Sequence, residues 1–386
     1  MRETHRLAGW SAGLLLAGCI GDHEPSSAMV TQPAPPEGAR QYYVAPAGDD
    51  DGPGTEALPL RTVQKACDMA QAGDQILLRE GVYVGDVTLR YSGEEGKPIA
   101  LRSYPGERPV VEGRVSLEAL EGWQKPIGWI TIEGLEIRKG WDGIKFYNAH
   151  DVVLRSNHIH DASNQGILGN GYRVRIEGNT IARNGLRDDN AESNQEHGIY
   201  CTGTHITIAN NAIHGNRAYG IQVAGYDYEP DRHAGPEFAG ARHWLISHNT
   251  IAFQQNRGAI VVWQSEATDC AIQDNIMYMN ATRLGSGANQ GVTFIAGGGH
   301  VLRNNLFFAP GRTAIEGDPN TYAASGNVEA DPRFVDPDGF DFHLLAGSPV
   351  IDAASGAEAA IELDLEGTPR PQGSGYDIGA YEFGGP

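Results

Sequence analysis

Along residues 129–330 the apolar positions come in short runs separated by single Gly or Asn residues, and two forms recur. In the first, a residue is followed by Gly and then Ile or Val. It appears as Asp142-Gly143-Ile144, Gln165-Gly166-Ile167, His197-Gly198-Ile199, Tyr219-Gly220-Ile221 and Gln290-Gly291-Val292, with Arg257-Gly258-Ala259 a looser copy. In the second, a short run closes on Asn, as in Val152-Val153-Leu154-Arg155-Ser156-Asn157, and later copies close on Asn179, Asn211, Asn249, Asn275 and Asn305. The Asn-to-Asn spacings are 22, 32, 38, 26 and 30 residues. Repeats of this length built from short strands imply stacked coils, because a lone strand cannot bury its apolar face. The shortest spacing accommodates three strands and three turns. The pattern therefore predicts an all-β solenoid, a parallel β-helix, in which the longer spacings are coils carrying insertions.

Stacked parallel strands lie about 4.8 Å apart, so a sequence repeat becomes a spatial column. The residue before each Gly gives the series Asp142, Gln165, His197, Tyr219, Arg257 and Gln290. Two residues after each Gly, the outward column reads Lys145, Leu168, Tyr200, Gln222 and Thr293, with the register of the coil at Val261 left open. The recurring Asn residues suit turns and mutual stacking, which sets them apart from catalytic candidates. Two insertions stand out, 183–196 before the His197 strand and 226–242 after the Tyr219 strand. Long loops on a rigid scaffold commonly serve binding, and these two would wall a groove over the columns.

At the N-terminus, Arg2 and Arg6 precede a short apolar run that ends in Leu16-Ala17-Gly18-Cys19. The run is too short to span a bilayer and resembles a bacterial lipoprotein signal. That resemblance implies cleavage before Cys19, lipidation of its sulfur and a cell-envelope location. Residues 20–40 read as a flexible tether, and 41–386 as one β-helix domain. Within it, 41–113 forms a cap and the first coils, with a helix over 62–72 plugging the open end. Residues 129–330 form the central coils and 331–383 a closing segment. Cys67, Cys201 and Cys270 remain, an odd number that argues against a disulfide framework. The formal charge of −20 argues against nonspecific nucleic-acid binding, and an anionic substrate would need a local basic patch.

Tyr42-Tyr43-Val44, Gly48, Gly54-Thr55, Pro59, Arg61-Thr62-Val63, Gly73-Asp74 and Gly81-Val82-Tyr83 resemble the opening of bacterial right-handed parallel β-helix proteins of the pectate-lyase superfamily. Gly347-Ser348-Pro349-Val350-Ile351-Asp352 and Asp377-Ile378-Gly379-Ala380-Tyr381-Glu382-Phe383 are similar to the closing segment of many exported members. The resemblance implies a right-handed β-helix and a carbohydrate-active protein. It leaves polysaccharide lyase, glycosidase and uronate epimerase open.

A uronate lyase must neutralise the sugar carboxylate, remove the adjacent proton and protonate the departing oxygen. The column residues suit these tasks. His197 is the expected base, Tyr200 or Tyr219 the acid, and Arg257 the carboxylate partner, with Lys145, Gln222, Arg217 and Trp263 as substrate-binding candidates. Hydrolysis needs two carboxyl groups instead, for which Asp142 and Glu196 are the candidates. Asp188, Asp189, Glu192 and Glu196 share one insertion and would suit Ca2+. The expected partner is an acidic polysaccharide and the expected state a monomer. A noncatalytic glycan-binding surface protein is the reading from a different class.

Overall fold

A computed structural model describes residues 36–185, 195–283, 289–355 and 361–385, apart from the Asn289 side chain. Cys19 lies outside the described residues, as do Asp188, Asp189 and Glu192. The chain winds as a right-handed parallel β-helix whose coils present three strips of strands. The first strip stacks Val115 through Phe294 in one continuous register, Val115, Ile144, Ile167, Ile199, Ile221, Ile260 and Val292. The second runs through Ile130, Val152, Val174 and Ile206. The third runs through Ile137, Ile159, Ile181, Ile213, Ile251 and Met277. All of these isoleucines, valines and Met277 are buried, forming one core down the axis.

Between the second and third strips, the predicted Asn column forms a hydrogen-bonded ladder. The Asn157 amide donates to Asn179 Oδ1 at 3.0 Å. The same step repeats from Asn179 to Asn211, Asn249, Asn275, Asn305 and Asn327. Each side-chain Nδ2 also donates to a carbonyl of the preceding coil, as Asn157 does to Ile132. The left-handed residue of each turn is the one before the ladder Asn: Ser156, Gly178, Asn210, His248, Asp274, Asn304 and Gly326 all have positive φ. The Asn is kept for bonding the stack, not for tolerating the bend. A second ladder, Asn184, Asn216, Gln254 and Asn280, lines the turn between the third and first strips.

The recurring Gly of the first strip is required by close approach. A Cβ on Gly166 would lie 2.6 Å from the Gly198 carbonyl oxygen, and one on Gly198 would lie 2.7 Å from that of Gly220. At Gly220 the facing carbonyl belongs to Ala259 and the gap opens to 2.9 Å. This locates the irregular coil. Ile221 pairs with Ile260, so Ala259 takes the glycine position and Gly258 the position before it. The sequence alignment of Arg257 with Tyr219 was therefore one residue out of register, because Gly258 imitates the motif.

The capping helix α1 spans Val63–Met69, shorter than 62–72. Thr62 caps it by accepting from the Lys65 amide, and Asp50 of the acidic loop accepts from the Arg61 and Thr62 amides at 2.9 Å. The closing segment lies against the side of the stack. Phe334, Phe342, Leu344, Val350, Ile378 and Tyr381 pack laterally on Ala252, Ile276 and Leu306 of the third strip. Buried Arg370 secures it, pairing with Glu382 at 3.0 Å and donating to Asn210 Oδ1 at 3.2 Å.

Candidate active-site groove

The outward column of the first strip forms in the expected order: Ser116, Lys145, Leu168, Tyr200, Gln222, Val261 and Thr293 are successive register partners. Over its first half lies a groove of about 590 Å³. Ser116, Lys145, Leu168 and Tyr200 form the floor, with Tyr147 and Thr202 two residues further along their strands. Arg114, Trp123, Tyr226, Arg232 and His233 line the sides. Lys145 Nζ lies 5.1 Å from the centre of the Tyr147 ring, against whose edge Trp123 packs. The hydroxyls of Tyr200 and Tyr226 hydrogen-bond to each other. Burial, then that bond, pushes Tyr200 well above the usual phenol range, so it is protonated at any physiological pH.

The rim depends on Asn148, which the sequence reading overlooked. Its buried amide donates to the Trp123 carbonyl at 3.0 Å and the Arg232 carbonyl at 2.9 Å. Its Oδ1 accepts from the Ala234 amide at 2.8 Å. Gln124 adds a bond to the Asp231 carbonyl at 2.7 Å. One side chain from the floor strand thus ties together two segments about 110 residues apart in the chain, a distance comparable to the 107-residue separation of Gln124 and Asp231. The insertion 226–242 does wall the groove. The facing material comes from Glu118 and Trp123.

The other expected site residues separate into two groups. Lys145 and Tyr200 line the groove, whereas Gln222 continues the column beyond it, and half-exposed Trp263 pairs with Ala224 further along the strip. His197, Tyr219 and Arg257 do gather: the His197 ring lies 5.6 Å from that of Tyr200 and 5.7 Å from that of Tyr219. Yet His197 is buried, and its Nδ1 accepts the Tyr219 amide at 3.1 Å. A neutral imidazole committed in this way carries its proton on Nε2 and has no lone pair to act as a base. Burial, then the Arg257 charge, lowers its pKa to about 3. The column before the glycines is in fact a third acceptor ladder. Asp142 Oδ1 accepts from the Gln165 amide, Gln165 Oε1 from the His197 amide, and His197 Nδ1 from the Tyr219 amide.

Arg217 is buried too, flanking Gly185 together with Glu196. Asp142 and Glu196, the expected hydrolytic pair, are both buried and neither lines the groove. Each keeps one carboxylate oxygen without a hydrogen-bond partner, although Arg114 NH1 stands 3.9 Å from Asp142. Of the four acids considered for Ca2+, Glu196 alone belongs to the described residues, and its free oxygen is the one feature there that fits a cation.

A right-handed coil stack with this groove on its first strip defines a β-helix protein of the pectate-lyase superfamily. More narrowly, residues 42–317 match the Pel9A-like right-handed β-helix region, and the chain belongs to that family. The structure superposes on that of pectate lyase Pel9A with a TM-score of 0.54 and 19% identity, covering 89% of this chain and 96% of the other. A glycoside hydrolase gives 0.56 at 8% identity, covering 75% and 97%. These likenesses are of fold. In sequence, the chain is 27% identical to YwoF of Bacillus subtilis over 248 residues, which is 57% of this chain and 51% of that protein. It is 40% identical to pectate lyase PEL9 of Emericella nidulans over 77 residues, 19% of each chain. The chain therefore spans about half the length of the first of these relatives and a smaller part of the second.

Proposed function

We propose that the protein is a carbohydrate-active enzyme, a polysaccharide lyase that cleaves a uronate-containing glycan by β-elimination in the Lys145 groove. The observation that carries this reading is Lys145 itself, an amine on the floor of a groove that Arg114, Arg232, Tyr200 and Tyr226 also line. Arg114 and Arg232 supply positive charge for the sugar carboxylate, which makes the adjacent carbon acidic. Lys145 is the base that takes the proton from that carbon. The electron pair left behind forms the new double bond as the bond to the leaving oxygen breaks. Tyr200, protonated and hydrogen-bonded to Tyr226, donates its proton to that oxygen. Trp123 and Tyr147 offer the apolar faces on which sugar rings stack. Names carried by relatives agree, since the Emericella nidulans protein is a pectate lyase.

The test is a panel of acidic polysaccharides followed by ultraviolet absorbance, because elimination leaves a conjugated double bond. On the best substrate, Lys145→Ala and Tyr200→Phe should each lose about 10²–10⁴-fold in turnover, the range typical of proton-transfer groups. Gln222→Ala, beyond the groove, should leave turnover unchanged. Cleavage without new absorbance would overturn the lyase reading in favour of hydrolysis. The carboxylates lining the groove among the described residues are then Glu118 and Glu229.

A further inference from the structure

The third strip carries a second group of side chains that the groove does not use. His158 and His160 are alternate residues of one strand, so both project outward from the core around buried Ile159. Glu136, on the preceding coil, is the register partner of His158. Ligand atoms of Glu136, His158 and His160 all lie within 4.8 Å of one another. The two imidazoles stack with centroids 4.2 Å apart. His160 Nε2 faces Glu136 Oε1 at 3.2 Å, while its Nδ1 meets Asp161 Oδ2 at 2.6 Å.

We propose that Glu136, His158 and His160 form a binding site for a divalent transition-metal ion such as Zn2+. Two imidazoles and one carboxylate from adjacent strands are a donor set that suits zinc, with the remaining position left to water. Asp161 occupies the place of the carboxylate that orients a metal-bound histidine. It holds Nδ1 and thereby aims Nε2 at the other two donors. His158 is the second, independent pointer. Its ring stacks on that of His160 and makes no hydrogen bond among the described residues, although it stands within ligand distance of Glu136 and His160. The surrounding charges leave room for a cation. Arg138 pairs with Glu136 at 2.8 Å and with Glu112 at 2.9 Å, and Arg183 pairs with Asp161 at 3.1 Å. The site lies just beyond the closing segment, whose Phe340 stacks at 4.4 Å on His214, in the same column two coils on. An ion there would clamp one coil to the next where that lateral cover stops.

The experiment uses the full chain after dialysis against a chelator. Zn2+ is titrated calorimetrically and by thermal melting, and Co2+ by visible absorbance. Wild type should take up one equivalent at micromolar concentrations, melt at a higher temperature with zinc, and give the intense band of four-coordinate cobalt. The His158→Gln and Glu136→Gln variants should lose all three responses while melting like chelated wild type. Asp161→Asn should bind about 10–100-fold more weakly, the usual cost of losing such an orienting partner. Absence of saturable binding by wild type would overturn the proposal. So would a His158→Gln/His160→Gln double variant that binds as wild type does, since the ion would then sit elsewhere.

Discussion

Replacing Asn148 tests whether the groove rim is held by one side chain. Asn148 makes three part-buried hydrogen bonds to the backbone of the Trp123 and 226–242 segments. At roughly 0.5–1.5 kcal/mol each, their loss weakens the rim by about 1.5–4.5 kcal/mol, and the opening constant rises by about 10- to 2000-fold. The backbone φ of Asn148 is +48°, so alanine there adds left-handed strain of about 1–2 kcal/mol, which is unrelated to the bonds. Glycine removes the side chain without that strain, making Asn148→Gly the decisive variant. The coil stack beneath is covered by its own core, so the effect should be local: a near-normal melting temperature, but faster hydrogen exchange at the Ala234 amide, which now donates to Asn148. Asn148→Asp should be intermediate, because it keeps the acceptor for Ala234 and loses both donors. Glycan affinity, measured calorimetrically on the best substrate of the panel, should fall with the rim. Unchanged Ala234 exchange and unchanged affinity in Asn148→Gly would refute the reasoning.

Two further predictions concern the buried histidine and the N-terminus. His197 and His214 are buried with pKa values lowered to about 3, against 6.5 for the unfolded chain, so the unfolded state binds the extra protons. Their contribution to stability is complete above about pH 6.5 and is lost as pH falls toward 3; a His197→Gln variant, which keeps an acceptor for the Tyr219 amide, should show a shallower fall in denaturant midpoint over that window. Cys19→Ala should abolish lipid labelling and release the protein from the membrane fraction, and equal labelling of both proteins would dispose of the proposed anchor.

The fold was legible because its two requirements act at every coil. Close approach of the coils demands a residue without a side chain in the first strip, and stacked turns demand an amide that donates and accepts along the axis. Both demands repeat with the coil, so both appear as periods in the chain. The same logic accounts for the misplaced coil. Ala259 takes the glycine place in that coil, and the neighbouring Gly258 offers a false register that carries Arg257 into the wrong column. The lateral docking of the closing segment left no such trace. It depends on where Phe334, Phe342 and Tyr381 meet Ala252 and Ile276, contacts that no short-range period encodes.

The site was legible only where side-chain direction follows from strand alternation. Lys145 and Tyr200 stand two residues after a glycine and face outward, and both reach the groove. His197 stands before a glycine, at the turn, where alternation gives no direction. Its chemistry drew attention, but the informative feature was the company it keeps. Asp142, Gln165 and His197 share the ability to accept a hydrogen bond, and each accepts the amide of the next coil. A column whose members differ in charge and shape yet all accept is the signature of a ladder, as the Asn column already was. Tyr219 and Gly258 have no acceptor suited to that task, and the ladder stops where they enter the column. Asn148 was hidden for the opposite reason. Its column repeats only once, at Asn170 one coil on, whose Oδ1 accepts the Asn148 amide, before Thr202 takes the next place, and two members leave no period to read.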